Sequence, residues 1–310
     1  MNMEKILKKF ETRKIIVIGD LILDHYIMGV VKRISPEAPV PVIEKKEEFY
    51  RLGGAANVAL NIESLGGKVN LISIIGDDTS GKIVREKGKL TDNLIIEKDR
   101  ITPHKTRIIS NHQQLLRVDE EKIEKINTET EDMIIKKTEK IDFDLIIVSD
   151  YAKGVITENL MKRLIKLSKN RGKRIIVDPK PLHKNYYTGV TGVVPNLKEA
   201  FQMVGEEGYD EKELVNKIMK KYKTDWVLVT MGEKGMCGRE KGKKFFCYKA
   251  FTHEVSDVTG AGDTVMAALG LSLSTKITLR ESSRIANIAA SISVTKLGAS
   301  TIKQEEILSF

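Results

Sequence analysis

Short apolar runs recur along this chain, each closing on a polar residue and most followed by a stretch with helical spacing. Lys14-Ile15-Ile16-Val17-Ile18-Gly19 ends at Asp20, and Phe143 to Ser149 ends at Asp150. Arg174 to Val177 ends at Asp178, Val193-Val194-Pro195 at Asn196, and Trp226 to Val229 at Thr230. Runs that are apolar on both faces belong to strands covered on both sides, as in parallel sheets. Their alternation with helices predicts an α/β fold with a doubly wound, mostly parallel sheet. Ligands of such sheets bind beyond the carboxyl ends of the strands, where the polar residues recur. Asp20 and Asp24 are therefore expected just past the first strand, placed for sugar hydroxyls or a metal, or else in a solvated turn.

Two stretches interrupt the alternation. Pro36, Pro39 and Pro41 forbid a helix over 25–50, and Pro39-Val40-Pro41-Val42-Ile43 reads as an edge strand. Residues 94–118 carry further strands, with polar side chains that reach toward a ligand. Together they predict a small β-sheet, from about 25–50 and 100–118, on a single domain covering 1–310. Gly53-Gly54 opens a tightly packed helix that ends at Gly66-Gly67, followed by a strand over 68–75. A charged helix is expected over Glu120–Lys140, another over Thr157–Asn170, and a last one over Leu279–Leu297.

The segment Ser256-Asp257-Val258-Thr259-Gly260-Ala261-Gly262-Asp263-Thr264 runs a glycine-rich turn into a small-residue helix. Unpaired N–H groups and the positive end of the helix dipole make such a turn an anion cradle. A carboxylate inside the cradle, Asp263, is either a first-turn residue stabilised by the dipole or a base beside a transferring phosphoryl group. Phosphoryl transfer needs both parts, charge stabilisation and an oriented nucleophile. By contrast, Gly76-Asp77-Asp78-Thr79-Ser80-Gly81-Lys82 matches a nucleotide loop only until Ile83, where the magnesium-binding hydroxyl is missing.

Composition narrows the classes. The net charge of +9 is spread along the chain with no arginine-rich or aromatic-interleaved patch, which favours a small anionic substrate over nucleic acid. Nothing is long and apolar enough for a membrane span, and the N-terminus has no signal-peptide centre. The two cysteines, Cys237 and Cys247, are expected as reduced, packed thiols in a cytoplasmic protein.

Gly53-Gly54, Asn196-x-x-Glu199, Thr230-x-Gly232-x-x-Gly235 and Asp257 to Thr264, in that order, resemble the signatures of the ribokinase-like (PfkB) carbohydrate kinases. The resemblance covers nearly the whole chain. Within that family, Arg33 to Val42, His112-Gln113-Gln114-Leu115-Leu116-Arg117, Ser149 to Gly154 and Asp178-Pro179-Lys180 are similar to the kinase domain of bacterial heptose-7-phosphate kinases. Many of those carry a C-terminal nucleotidyltransferase with a His-x-Gly-His motif. No such motif occurs here, so the second activity is expected on a separate protein.

The resemblance implies phosphorylation of the anomeric hydroxyl of D-glycero-D-manno-heptose 7-phosphate, giving the 1,7-bisphosphate on the way to a nucleotide-heptose for lipopolysaccharide or a surface-layer glycan. It implies Asp263 as general base and the N–H groups of Gly260, Ala261 and Gly262 as phosphoryl donors. It assigns the sugar to Asp20, Asp24, Gly53, Gly54, Asn57 and Gln113. ATP falls to Thr230, Gly232, Gly235 and Asn287, and Mg2+ to Asn196 and Glu199 through water. A monovalent-cation requirement is left open, and a lid-mediated homodimer is expected. A sugar that already bears a phosphate needs basic groups at the far end of its pocket. Arg107, Arg117, Lys153 and Lys180 are the candidates, with Lys153 alternatively serving ATP. A kinase for another sugar or nucleoside, and a non-catalytic sugar or nucleotide sensor, are the competing readings.

Overall fold

The computed structural model describes the chain except Met1, Lys89, His112 and residues 252–254. His112, part of a motif quoted above, therefore lies outside the described residues. The central sheet has eight strands in the order β14-β13-β12-β11-β10-β9-β1-β4. These are β1 Lys14–Gly19, β4 Lys68–Ile72, β9 Leu145–Ser149, β10 Arg174–Asp178, β11 Gly192–Val193, β12 Trp226–Thr230, β13 Met236–Glu240 and β14 Phe246–Tyr248. From β4 through β12 every pairing is parallel, and β12–β13 and β13–β14 are antiparallel. The alternation of β1 shows why both faces are apolar. Ile15 and Val17 enter one core layer, and Ile16 and Ile18 enter the other.

The described residues form ten α-helices: α1 Met3–Lys8, α2 Ala55–Ser64, α3 Thr79–Glu86, α4 Thr128–Lys140, α5 Glu158–Asn170, α6 Leu197–Val204, α7 Glu211–Tyr222, α8 Ala261–Ser274, α9 Leu279–Ser293 and α10 Gln304–Leu308. Helices α2, α8 and α9 pack in one layer, and α4 to α7 in the other. Among the described residues no helix is long and apolar enough to cross a membrane.

The second sheet has four strands in the order β3-β2-β7-β8: β2 Leu21–Ile34, β3 Pro41–Gly54, β7 His104–Ser110 and β8 Gln113–Glu120. Proline opens the edge strand β3, where its missing N–H is harmless. Because β2 starts at Leu21, Asp24 lies inside this sheet and not in a turn after β1. Registers Asp24↔Lys105 and Tyr26↔Arg107, then Lys105↔Asp119 and Arg107↔Arg117, put these side chains on one face.

Other expectations are corrected locally. The strand expected over 68–75 breaks at Ser73, whose hydroxyl donates to Gly19 O, and continues as β5 Ile74–Gly76 paired with β6 Ile95–Glu97. The charged helix begins only at Thr128, because Asn127 caps it by accepting from Thr130 N. Helix α9 stops at Ser293, short of Leu297. Asp78 of the rejected nucleotide loop caps α3 and also accepts from Thr102 N and Oγ1, which gives it a structural job. Cys237 and Cys247, expected as thiols, form a disulfide. They lie directly opposite on β13 and β14, with Cα atoms 4.1 Å apart, so antiparallel pairing itself brings the sulfurs together.

Candidate active site

The carboxyl ends of β1, β9 and β10 converge on the start of α8. Asp263, in the first turn of α8, is buried to 3% exposure. Its Oδ2 accepts from Asn57 Nδ2 at 2.8 Å, and its Oδ1 accepts from the Tyr151 hydroxyl at 2.7 Å. Burial pushes its carboxyl up to about 6, against the lowering effect of those two donors. A carboxylate with that affinity is ionised at neutral pH and still basic enough to take a proton.

The glycines around it make room for named atoms. Gly260 has φ +78°, and a Cβ there would lie 2.6 Å from Asn57 Nδ2. Gly53 leaves space for Asp24 Oδ2, and Gly54 (φ +60°) for the carbonyl of Asp20. Gly262 differs, since a Cβ there would meet only open space. Ala261 N donates back to Val258 O at 3.2 Å, so the N–H groups expected from the turn are not all free. Among the described residues, Gly262 N has no backbone acceptor outside its helix.

On one side of Asp263 is a largely apolar cleft of about 480 Å³, which Gly262 itself borders. Thr230, Gly232, Gly235 and Asn287, the residues expected to hold ATP, line it together with Val258 and Val294. Asn287 is fixed by donating to Lys249 O at 2.7 Å.

On the other side is the β2–β7–β8 face. Asp24 is buried and paired with Arg107 Nη1 at 2.6 Å, and burial nevertheless raises its affinity for a proton. Arg117 is exposed opposite Arg107 and bonds Asp119. Lys153 Nζ pairs with Glu121 at 2.5 Å, and Lys105 bridges Asp119 and Glu121 at 2.8 and 3.8 Å. Gln113 does not join this group; it is exposed at the opposite end of the β7–β8 register.

Two expected site residues are engaged otherwise. Asp20 accepts from the backbone N–H groups of Tyr151, Lys153 and Val155, so it holds the loop after β9 instead of offering a free carboxylate to sugar. Lys180 is not at the far end with the other cations. Its Nζ pairs with Glu199 at 2.5 Å and lies 5.3 Å from the Tyr151 ring centroid. Asn196 and Glu199 form a capping box at the start of α6, and Glu199 Oε2 accepts from Asn196 N. No cluster of three or more metal-binding side chains occurs among the described residues.

Tyr151, Asp178 and Lys105 join the site although no role of their own was expected for them. Asp178 faces Lys180, Glu199, Asp150 and Asp263, and enclosure pushes its carboxyl well above the usual range. Its position at a strand end was the available signal. For Lys105 the signal was its spacing of two from Arg107, which puts both on one face.

The pfkB family carbohydrate kinase model matches residues 12–306. The chain belongs to that family. Among curated relatives, this pfkB-family kinase is 41% identical over 302 residues to the bifunctional protein HldE of Campylobacter fetus, which covers 94% of the chain and 65% of the relative. It is 39% identical over 307 residues to the protein of the same name from Desulfatibacillum aliphaticivorans, covering 96% and 63%. The chain thus spans less than two thirds of those relatives. Phosphofructokinase-2 of Escherichia coli in complex with substrates and products superimposes with a TM-score of 0.79 at 19% identity, covering 96% of this chain and 97% of that one. Arabidopsis thaliana ribokinase complexed with ribose and ATP gives 0.74 at 19%, covering 96% and 98%. The ribokinase-like fold is shared with both. By its description, the pfkB family is one of carbohydrate kinases.

Proposed function

We propose that the protein transfers the γ-phosphoryl group of ATP to the anomeric hydroxyl of D-glycero-D-manno-heptose 7-phosphate, giving the 1,7-bisphosphate and ADP. The observation that carries this is the placement of buried Asp263 between an apolar cleft and a row of cations. Asp263 accepts the hydroxyl proton as the sugar oxygen attacks phosphorus, and the bond to the ADP oxygen breaks. The Gly262 N–H and the α8 dipole face the charge that builds on the phosphoryl oxygens, a preorganised donor being worth on the order of 3 kcal/mol in a dry site. Asn196 and Glu199 would hold Mg2+ through water, and the ion would supply neutralisation of phosphate charge. Lys180, beside Glu199, belongs to the phosphate-transfer end.

Lys105, Arg107, Arg117 and Lys153 suit the sugar's 7-phosphate, since an arriving phosphate competes with Asp24, Asp119 and Glu121 for the same donors. The heptose reading draws support from the Ser149–Gly154 and Asp178–Lys180 motifs and from relatives near 40% identity. The β2–β3–β7–β8 sheet acts as a lid, and its exposed Leu116 and Val118 suit a homodimer contact. A cytoplasmic location completes the proposal.

The test is ATP-dependent turnover of ribose, fructose 6-phosphate, adenosine, sedoheptulose 7-phosphate and glycero-manno-heptose 7-phosphate. A preference of roughly a hundredfold in kcat/KM, about 2.7 kcal/mol of differential transition-state binding, for the last supports the substrate. Turnover of another compound keeps the kinase and discards the heptose. Silence with measurable ATP binding favours a sensor.

A further inference from the structure

The loop after β9 is held more firmly than a connection requires. Asp20 accepts three of its N–H groups, from Tyr151, Lys153 and Val155. Asp150 accepts from Ala152 N at 2.7 Å and is itself fixed by His183 Nδ1 and the Tyr187 hydroxyl at 2.8 and 2.7 Å. Two residues of the loop adopt left-handed backbone, Ala152 at φ +54° and Gly154 at φ +103°. For a non-glycine residue that conformation persists only where the surroundings over-determine it. What the loop presents is one phenol, whose hydroxyl ends 2.7 Å from Asp263 Oδ1.

We propose that Tyr151 is the positioning residue of the base: its hydroxyl fixes the plane of the Asp263 carboxylate and sets the pH at which that carboxylate becomes able to accept a proton. Asn57 alone would leave the group free to turn about its Oδ2 contact. With Tyr151 on Oδ1, both oxygens are pinned and their remaining lone pairs have defined directions. The hydroxyl stays a donor, because burial and the neighbouring Asp263 push the phenol far above its ordinary range. The other groups that act on Asp263 are Asp24 from β2, which raises its proton affinity, and Lys180 beyond β10, which lowers it. Asp178 of β10 couples to the same cluster.

This inference rests on the kinase reading only for its rate measurements. Tyr151→Phe removes the donor and keeps the ring. A hydrogen bond to a charged group contributes enough for kcat to fall about 10- to 100-fold, while KM for ATP and sugar changes little. The acid limb of the pH–rate profile should move upward by about one unit, because a donor that favours the charged form is gone. Replacing Tyr151 by a fluorinated tyrosine, a stronger donor of nearly the same shape, should move the limb the other way. A fall in kcat with an unmoved limb in both variants would reduce Tyr151 to a packing role and overturn the proposal. The carboxyl carbon of Asp263, assigned by its loss in Asp263→Asn and titrated by 13C NMR, reads the same shift without turnover. Should the wild-type protein phosphorylate nothing, the kinase reading fails, while an unmoved NMR titration in Tyr151→Phe sinks the Tyr151 assignment by itself.

Discussion

The side-chain amide of Asn57 donates to Asp263 Oδ2 at 2.8 Å across 206 residues of sequence. Its orientation is fixed, because Asn61 Nδ2 donates to the Asn57 side-chain and main-chain oxygens at 3.2 and 3.0 Å. Helix α2, opened by Gly53-Gly54, and helix α8, opened by Gly260, are thus joined at the buried Asp263 carboxylate. The two glycine signatures are halves of one device: Gly260 lacks the Cβ that would strike Asn57.

Replacing the base tests this device most directly. Asp263→Asn keeps the shape and removes the proton acceptor, so kcat should drop by about 10²- to 10⁴-fold, the usual contribution of general-base catalysis. ATP affinity, followed by calorimetry, should stay within a few-fold. Residual turnover near wild type would remove Asp263 from the chemistry.

The two glycines of the turn should respond oppositely to alanine. Gly260→Ala forces a left-handed residue against Asn57 and should cost on the order of 2 kcal/mol of stability or more, together with most activity. Gly262→Ala has open space around it and lies within α8, so stability should hold or rise by about 0.5–1 kcal/mol. The new methyl group would instead stand at the cleft wall and raise the KM for ATP. Denaturant melts and ATP kinetics on the pair distinguish a packing glycine from a ligand-facing one.

The cations divide into two sets with separable kinetics. Lys153→Met or Arg117→Met should raise the KM for a sugar phosphate by about tenfold, the loss of one charge-assisted contact, and leave an unphosphorylated sugar unaffected. Lys180→Met should lower kcat and spare that KM, because its partner is Glu199. Arg107→Met would do more, since it strands buried Asp24 without its partner. A loss of about 3 kcal/mol in stability is expected alongside the KM effect. If Lys180→Met raised only the sugar-phosphate KM, Lys180 would belong to the sugar pocket after all.

Much of this arrangement was legible from residue order. The apolar runs gave β1, β9, β10 and β12 because covered parallel strands leave little choice of composition, and their polar ends marked the site edge. Side-chain partnership was not legible. Nothing in the order of residues says that Asp20 faces three backbone N–H groups while Asp24, four positions on, faces Arg107. Lys180 could not be told from Lys153 for the same reason: each is a lysine after a strand, and only the packing of α6 puts Glu199 beside one of them. The expectation of reduced thiols failed because it weighed cellular context and cysteine count. The register of β13 against β14, which places Cys237 opposite Cys247, is a long-range property that composition does not carry.

The buried base should also leave a mark on stability. The Asp263 carboxyl has an ordinary value of 3.8 and is raised to about 6 in the folded protein. Between those values the folded state binds more protons than the unfolded state, so this group's contribution to stability falls as pH rises from about 4 to 6. Asparagine, which does not titrate, removes that dependence. The stability of Asp263→Asn relative to wild type should therefore improve across this window by up to about 3 kcal/mol, the equivalent of a two-unit shift. Urea unfolding of both proteins at pH 4 and pH 7 measures the difference directly. Because both carry the same surface carboxylates, whose lowered values act in the opposite sense, those contributions cancel in the comparison. Parallel stability curves would mean that Asp263 titrates near its ordinary value, and would leave the base without the raised proton affinity that suits it to accept a hydroxyl proton near neutral pH.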